Sequence, residues 1–186
     1  MRTRRAYVLA LSFALFVAGC DEDPVAPSNH PPEPPRPVRK CGDGPGTLSL
    51  GEGHPFVALE GTTLPIHAGT QGGHHVEVSV RATGPVDANN VDIRIELRRG
   101  EALLGRHLNP STLLGTLTPG VCDYDVARIV LVDEGGALLE GDALSALVGA
   151  AVTLHVRLSS VDAELDETYD LTLGDVLDGC EGDGGC

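Results

Sequence analysis

The chain lacks tryptophan and is poor in aromatic side chains of every kind. It has three Tyr and three Phe in 186 residues, and three of these six, Tyr7, Phe13 and Phe16, lie near the amino terminus. Sites that bind sugars or nucleic-acid bases usually stack the ligand on several exposed aromatic rings. We therefore do not expect such a stacking surface, and the core must be built from Val, Leu, Ile and Ala.

Basic residues are also scarce. The sequence has 13 Lys+Arg against 27 Asp+Glu, a net charge of −14, and three of the arginines lie within the first five residues. Without those three the net charge falls to about −17. So acidic a surface repels phosphate backbones and anionic lipid headgroups, and it predicts that nucleic acid is not a partner.

Motifs of the common enzyme classes are missing. The sequence contains no Gly-x-Ser-x-Gly, no His-Glu-x-x-His and no phosphate-binding glycine loop. Ser, His and Asp are all present, but nothing in their spacing places them together. We therefore expect that the protein is not an enzyme, and we predict no cofactor.

The longest apolar run is short and lies at the start of the chain. It extends from Ala6 to Val17, about a dozen residues, follows three arginines and ends in Val17-Ala18-Gly19-Cys20. A permanent membrane-spanning helix needs about 20 apolar residues, so this run is typical of a removable signal peptide.

The ending Val17-Ala18-Gly19-Cys20 resembles the lipobox of bacterial lipoproteins. The resemblance implies that residues 1–19 are a signal peptide that is cut off and that Cys20 carries acyl chains such as palmitate. It implies a membrane partner through this lipid and a location in the bacterial cell envelope, on the periplasmic face or the outer surface. The alternative is an ordinary secreted protein cleaved near Gly19, with Cys20 left free or oxidised.

The next segment is rich in proline and almost free of apolar residues. Residues 20–46 contain eight prolines, at positions 24, 27, 31, 32, 34, 35, 37 and 45. Such a composition cannot pack into a core and favours an extended conformation. We predict a linker over 20–46 that holds a domain away from the membrane; a proline-rich ligand for a partner domain is the alternative.

Alternation of apolar and polar residues dominates the rest of the chain, residues 47–186. It is clearest at Val76, Val78 and Val80; at Val91, Ile93, Ile95 and Leu97; and at Val152, Leu154, Val156 and Leu158. Each segment predicts a strand with one buried face. Frequent Gly and Pro between them predict an all-β domain, an immunoglobulin-like or related antiparallel β-sandwich of about seven to nine short strands.

Two local exceptions to this pattern carry predictions of their own. The alternation breaks between Val121 and Val132, which indicates a β-bulge near Ala127 or a strand that becomes fully buried. Ala143, Leu144, Leu147 and Val148 have helical spacing, which predicts a helix of about two turns with Asp142 as its N-cap.

With Cys20 assigned to lipid, four cysteines remain: Cys41, Cys122, Cys180 and Cys186. An even number in an exported protein predicts disulfides, and four cysteines allow three pairings. A metal site made of thiolates is the alternative, although the chain has no Cys-x-x-Cys pair.

Histidines provide the candidate metal site. His67, His74 and His75 lie within nine positions of one another, beside the Gly72-Gly73 turn, and imidazole nitrogen is a good ligand for copper and zinc. Because neighbouring residues of a strand point to opposite faces, only one of His74 and His75 can join His67. The alternative is that all three are solvent-facing turn residues.

Carboxylates provide a candidate calcium site. Asp123 and Asp125 lie close together, and five acidic residues lie between positions 162 and 170. Calcium binds six to eight oxygen ligands, but the spacing of a dedicated calcium loop is absent.

One further stretch resembles other sequences. Pro55-Phe56-Val57-Ala58-Leu59-Glu60, Leu64-Pro65-Ile66 and Gln71-Gly72-Gly73-His74-His75-Val76, within residues 55–81, resemble a segment of uncharacterised predicted lipoproteins, and this resemblance implies no activity. The sequence thus predicts a non-catalytic, lipid-anchored envelope module with a binding or structural role and an unidentified protein partner. The alternatives are a copper- or zinc-handling lipoprotein and a calcium-stiffened adhesion module.

Overall fold

The computed structural model of the chain describes residues 38–70, 72–115 and 118–177, all within the compact unit Pro37–Cys186. The predicted signal peptide, Cys20, most of the proline-rich segment, Cys180 and Cys186 lie outside the described residues. No helix in the described ranges is long and apolar enough to cross a membrane.

The described residues form ten strands and one short helix. In chain order these are β1 (Lys40–Cys41), β2 (Thr47–Glu52), β3 (Val57–Ala58), β4 (Thr63–Ala68), β5 (His74–Asp87), β6 (Val91–Arg99), β7 (Ala102–Thr112), β8 (Cys122–Val130), α1 (Gly141–Ser145), β9 (Ala151–Ser159) and β10 (Glu164–Leu177). The predicted all-β class is confirmed. The structure has ten strands where seven to nine were predicted, and two of the ten, β1 and β3, have only two residues each.

The strands form a single sheet in the order β3-β2-β5-β4-β10-β9-β6-β7, with β1 and β8 also paired to β5. All pairs are antiparallel except β4 and β10, where Thr63 lies opposite Thr172 and Leu64 opposite Leu173 in parallel register. Alternation in a sequence shows which face of a strand is buried, but it does not show the direction of the neighbouring strand. The parallel pair is therefore a feature of the tertiary structure alone.

The sheet curls until β7 meets β8. The Val132 N–H, just after β8, donates a 2.7 Å hydrogen bond to the Leu104 carbonyl of β7. At Gly105 the two strands approach so closely that a Cβ atom would lie 2.3 Å from the Val130 carbonyl oxygen. The curled sheet thereby encloses one core, as two packed sheets would.

The core is aliphatic, as the composition requires. The alternating residues of the three clearest predicted strands are almost completely buried and pack in one cluster with Leu64, Ile66 and Leu173. Tyr124 and Tyr169 are only partly buried at its margin. Each fully buried Val, Leu or Ile side chain contributes about 1.5–3 kcal/mol, so this cluster supplies most of the stabilisation.

The predicted bulge is present in β8. Val78 of β5 pairs with Ala127, whereas Val80 pairs with Tyr124, so β8 has one extra residue between these two positions. The buried positions change accordingly from Cys122 before the bulge to Ala127 and Ile129 after it. One extra residue reverses the faces of a strand, which explains the broken alternation.

The first strand lies inside the segment predicted as linker. Lys40 and Cys41 pair with the end of β5, and the Ala88 N–H donates a 2.7 Å hydrogen bond to the Arg39 carbonyl. Cys41 is buried and forms a disulfide with Cys122. These contacts place the end of the proline-rich segment in the folded unit, because a cysteine that is tied to the sheet holds its neighbours there as well.

A helix is present in the predicted segment, but it is shorter than predicted, because it ends at Ser145, and Asp142 as its N-cap is wrong. α1 begins at Gly141, so Glu140 occupies the N-cap position and its side chain makes no capping hydrogen bond. Asp142 lies in the first turn, where a carboxylate is favoured by the helix dipole. Leu144 and Leu147 are buried, so the segment covers the core at this point.

Candidate functional site

The structure brings together two of the three histidines predicted as metal ligands. His67 of β4 and His75 of β5 are register partners, and their rings are stacked with centroids 5.8 Å apart and planes inclined by 30°. His74 pairs instead with Ala68, and its Nδ1 is buried with no hydrogen-bond partner among the described residues. As strand alternation predicted, only one of His74 and His75 therefore joins His67.

Two charged residues complete this cluster. The Arg128 Nε–H donates a 2.8 Å hydrogen bond to Oε1 of Glu77, and Nε2 of His75 lies 3.1 Å from the same oxygen. We refer to His67, His75, Glu77 and Arg128 as the histidine cluster. Glu77 follows His75 by two positions and so shares its face, but Arg128 comes from β8 through its register with Glu77. Sequence reasoning missed Arg128 because no local pattern connects the two strands.

The cluster holds Glu77 in its charged form. Burial by itself would raise the pKa of Glu77, but the hydrogen bonds from Arg128 and His75 lower it, as do the charges of Arg128 and His67. The net effect is a pKa below the ordinary value of 4.5. Glu77 is therefore a carboxylate at neutral pH, with an arginine on one side and an imidazole on the other.

The histidine cluster lies where neighbouring strands diverge. β5 pairs with β4 only at His74 and His75, and it pairs with β2 only from Ser79 onward. A cavity of about 370 Å³ lies at this gap, and a second of about 460 Å³ lies beside Gly69, Thr70 and Gly72. His67 and Glu77 line both cavities.

The chemistry of the histidine cluster is only partly that of a metal centre. Imidazole and carboxylate are ligand types that zinc and copper accept. Within the described ranges, however, no three His, Cys, Asp or Glu side chains are arranged to hold a metal ion. Oε1 of Glu77 already accepts the hydrogen bond from Arg128, so the structure shows a pair of imidazoles beside an ion pair.

Asp123 and Asp125, two of the carboxylates considered for calcium, have basic partners. Asp123 accepts two hydrogen bonds from Arg81, from Nε at 2.7 Å and from Nη2 at 2.8 Å, and the Arg81 guanidinium also lies over the Phe56 ring at 4.2 Å. Oδ1 of Asp125 lies 2.9 Å from Nδ1 of His54. These pairs stabilise β8 against β5 and the turn after β2.

Three of the five acidic residues between positions 162 and 170 are paired in the same way. The ion pairs are Lys40–Asp162 at 3.6 Å, His155–Asp166 at 2.6 Å, and Arg157–Glu164. Because oxygens of these three carboxylates already face basic side chains, the arrangement does not favour a calcium site in this part of the chain.

Comparison with known proteins adds little. No protein family matches the chain, and no curated protein matches it. Among solved structures, the CooA pilin subunit from enterotoxigenic Escherichia coli is similar at 12% sequence identity and a TM-score of 0.32, covering 69% of this chain and 98% of the pilin chain. A similarity at this level says nothing about a ligand or a partner.

Proposed function

We propose that this chain is a non-catalytic module of the bacterial cell envelope, anchored by lipid on Cys20. In this proposal the proline-rich segment holds an all-β domain away from the membrane, where the domain has a binding or structural role. The proposal combines the lipobox resemblance, the absence of catalytic motifs in the sequence and the construction of the folded unit.

The disulfide between Cys41 and Cys122 is the observation that carries the proposal. Disulfides persist in oxidising compartments outside the cytoplasm, so this bond supports export. Its position also fits an anchored domain, because Cys41 lies where the proline-rich segment enters the sheet. β1 has only two residues, so its hydrogen bonds alone would hold it weakly under tension. The covalent bond from Cys41 to β8 keeps this strand attached.

The histidine contacts support a role without catalysis. In the described part of the chain, His54, His75 and His155 contact carboxylates, and His107 contacts the Tyr124 hydroxyl at 2.8 Å. A histidine that activates a serine, threonine or cysteine must lie within hydrogen-bond reach of it, and none of these four histidines has such a contact among the described residues. His54, His107 and His155 instead contact a residue of another strand, whereas His75 contacts Glu77 within β5.

The anchor is tested by expressing the full chain in a bacterium and analysing the mature amino terminus by mass spectrometry. We expect loss of residues 1–19 and an acylated Cys20, with the protein in the membrane fraction. Cys20→Ser should leave the membrane fraction, whereas the control Cys186→Ser should remain in it. An unmodified Cys20 thiol on the mature wild-type protein would refute the proposal.

A metal-handling role is the second candidate, and the stacked pair of His67 and His75 beside two cavities favours it. Calorimetry with Cu²⁺ and Zn²⁺ tests this role. If the pair binds metal, His67→Ala should abolish the heat of binding, whereas the control His74→Ala should retain it because His74 does not join the pair. No heat from the wild type at micromolar metal would end this candidate.

A further inference from the structure

Positive charge is concentrated on one part of this acidic protein. Of the nine Lys and Arg among the described residues, five lie on β6, β7 and β9: Arg94, Arg98, Arg99, Arg106 and Arg157. Local positive potential on a protein of opposite net charge attracts anions to that place. The surface over these strands therefore differs in its preferred ligands from the rest of the molecule.

Two of these arginines face each other directly. Arg94 of β6 and Arg157 of β9 are register partners, so their side chains leave the same face with Cβ atoms roughly 5 Å apart. Like charges at opposed positions destabilise a sheet. A repulsive pair of this kind is relieved when an anion binds between the two guanidinium groups.

Nearby carboxylates neutralise this pair only in part. Oε1 of Glu96 accepts hydrogen bonds from Arg94, and Oε2 of Glu96 accepts two from Arg98, from Nη2 at 3.0 Å and from Nε at 3.3 Å. A single carboxylate thus serves two arginines. Arg157 donates through Nη2 to Glu164, and its register partner on β10, Asp166, contacts His155.

Donors remain on both guanidinium groups, since an arginine has five N–H groups. The described contacts use two N–H groups of Arg94, on Nε and Nη2, and only one of Arg157. The two side chains are 54% and 44% exposed, so their remaining donors can reach a ligand from solvent.

A cleft of about 380 Å³ lies beside the arginine pair, and apolar groups form much of its wall. Leu108 is 52% exposed there, next to Pro110 and to the edge of Ile93. An exposed leucine beside two guanidinium groups gives one site both an apolar surface and N–H donors that the described contacts do not use.

Asp92, the acidic residue that lines the cleft, is hydrogen-bonded to the backbone of Ser111. Asp92 lines the same space, but its Oδ1 accepts a 2.8 Å hydrogen bond from the Ser111 N–H. This bond holds Ser111 at a φ of +52°, a backbone conformation that residues other than glycine seldom adopt. The Asp92 carboxylate is thus bonded to the irregular part of β7 that contains Pro110, and none of the described contacts pairs it with the two arginines.

We propose that this arginine cleft, formed by Arg94, Arg157, Leu108 and Pro110, binds a carboxylate attached to an apolar group. The carboxylate lies between the two guanidinium forks, which match its planar geometry, and the apolar group covers Leu108 and Pro110. Two sources supply this chemistry, a small organic acid and the carboxyl-terminal residue of a peptide.

The first test separates charge from apolar contact by NMR titration of the ¹⁵N-labelled mature chain. N-acetyl-leucine should shift the Nε–H signals of both arginines at millimolar concentration. N-acetyl-leucinamide, which lacks the charge, and acetate, which lacks the apolar group, should each bind at least about tenfold more weakly, since a charge-assisted hydrogen bond contributes about 1.5–3 kcal/mol. Equal binding of the amide, or no shift with N-acetyl-leucine, would overturn the proposal.

Substitutions locate the site. Arg157→Gln should weaken binding at least about tenfold, and Leu108→Ser should weaken it several-fold. Arg128→Gln removes an arginine that is 69% exposed and lies in the histidine cluster, so it should leave binding unchanged. Thermal melts of each variant show whether it is folded, and Arg157→Lys provides a milder change that keeps the charge but loses the planar fork. Equal weakening by Arg128→Gln would place the binding elsewhere.

A third experiment distinguishes the two sources of the carboxylate, a small organic acid and the carboxyl-terminal residue of a peptide. A tripeptide ending in Gly-Leu should bind more tightly than N-acetyl-leucine if the cleft recognises peptide ends, and equally if it recognises the acid alone. A tripeptide that fails to bind while N-acetyl-leucine does bind restricts the site to small acids. This inference does not depend on the lipid anchor, so a negative result here would leave the anchor proposal untouched.

Discussion

The disulfide between Cys41 and Cys122 should be the largest single contribution to stability that one perturbation can remove. The two cysteines are 81 residues apart, and the bond closes a loop of that length in the unfolded chain. The chain-entropy relation gives about 4.5 kcal/mol for such a loop at 25 °C. Both residues are fully buried, so Cys41→Ala/Cys122→Ala also leaves small voids that add to the loss.

Urea unfolding of a non-acylated form, with Cys20→Ser, measures this effect. We expect the double variant to lose about 4–5 kcal/mol in the free energy of unfolding and roughly 10–15 °C in Tm. The dependence of that free energy on urea should become steeper, because an unfolded chain without the cross-link is more expanded and exposes more surface.

The matched control is Cys180→Ala/Cys186→Ala, two cysteines outside the described residues. A bond between them would close only six residues, and the same relation gives about 2 kcal/mol. A loss below about 1 kcal/mol for Cys41→Ala/Cys122→Ala, with no change in urea dependence, would refute the reasoning.

Three further substitutions test the fold. Gly105→Ala places a Cβ atom 2.3 Å from a carbonyl oxygen of β8 and should lower the free energy of unfolding in urea by about 2–3 kcal/mol. The control Gly44→Ala meets no atom within 4 Å and should change that free energy by less than about 0.5 kcal/mol. Equal effects would contradict the close contact of β7 and β8. Glu96→Gln should lower the free energy of unfolding by about 1–3 kcal/mol at pH 7 and should have no effect in strong acid. Hydrogen bonds from Arg94 and Arg98 hold the pKa of Glu96 below the ordinary 4.5. The stabilisation from the Glu96 carboxylate is therefore complete above that value and is lost as the pH falls through the lowered pKa. A cost that does not change with pH would exclude this cause. Arg81→Met leaves the buried carboxylate of Asp123 unpaired and should lower the free energy of unfolding by about 3 kcal/mol. Adding Asp123→Asn in a double variant should restore much of this stability. Additive losses would show that the two side chains are not coupled.

The correct predictions from sequence concern properties that each strand has by itself. The buried faces around Val78, Ile95 and Val156 follow from alternation, since neighbouring side chains point to opposite sides of any strand. The bulge near Ala127 was visible for the same reason, because one extra residue reverses that alternation. The N-cap at Asp142 was wrong because the helix begins at Gly141, one residue before Asp142, and Glu140 occupies the N-cap position without a capping hydrogen bond.

The candidate site was only half visible in the sequence. Strand alternation showed that His74 and His75 could not both join His67, and this limit holds in the structure. The register of β4 against β5 then decided which of the two does so. Arg128 could not be found in advance, because it reaches Glu77 from a strand about 50 residues further along the chain.

Composition and alternation by themselves determined that the chain is all-β, that its core is aliphatic and that its surface is acidic. These properties are sums over single residues or follow from a period of two along one strand, so they need no knowledge of neighbours. Only the tertiary structure decided that Cys41 pairs with Cys122, that β4 runs parallel to β10 and that Arg94 faces Arg157. Each of these depends on the register between distant strands, which is set by the packing of the whole core.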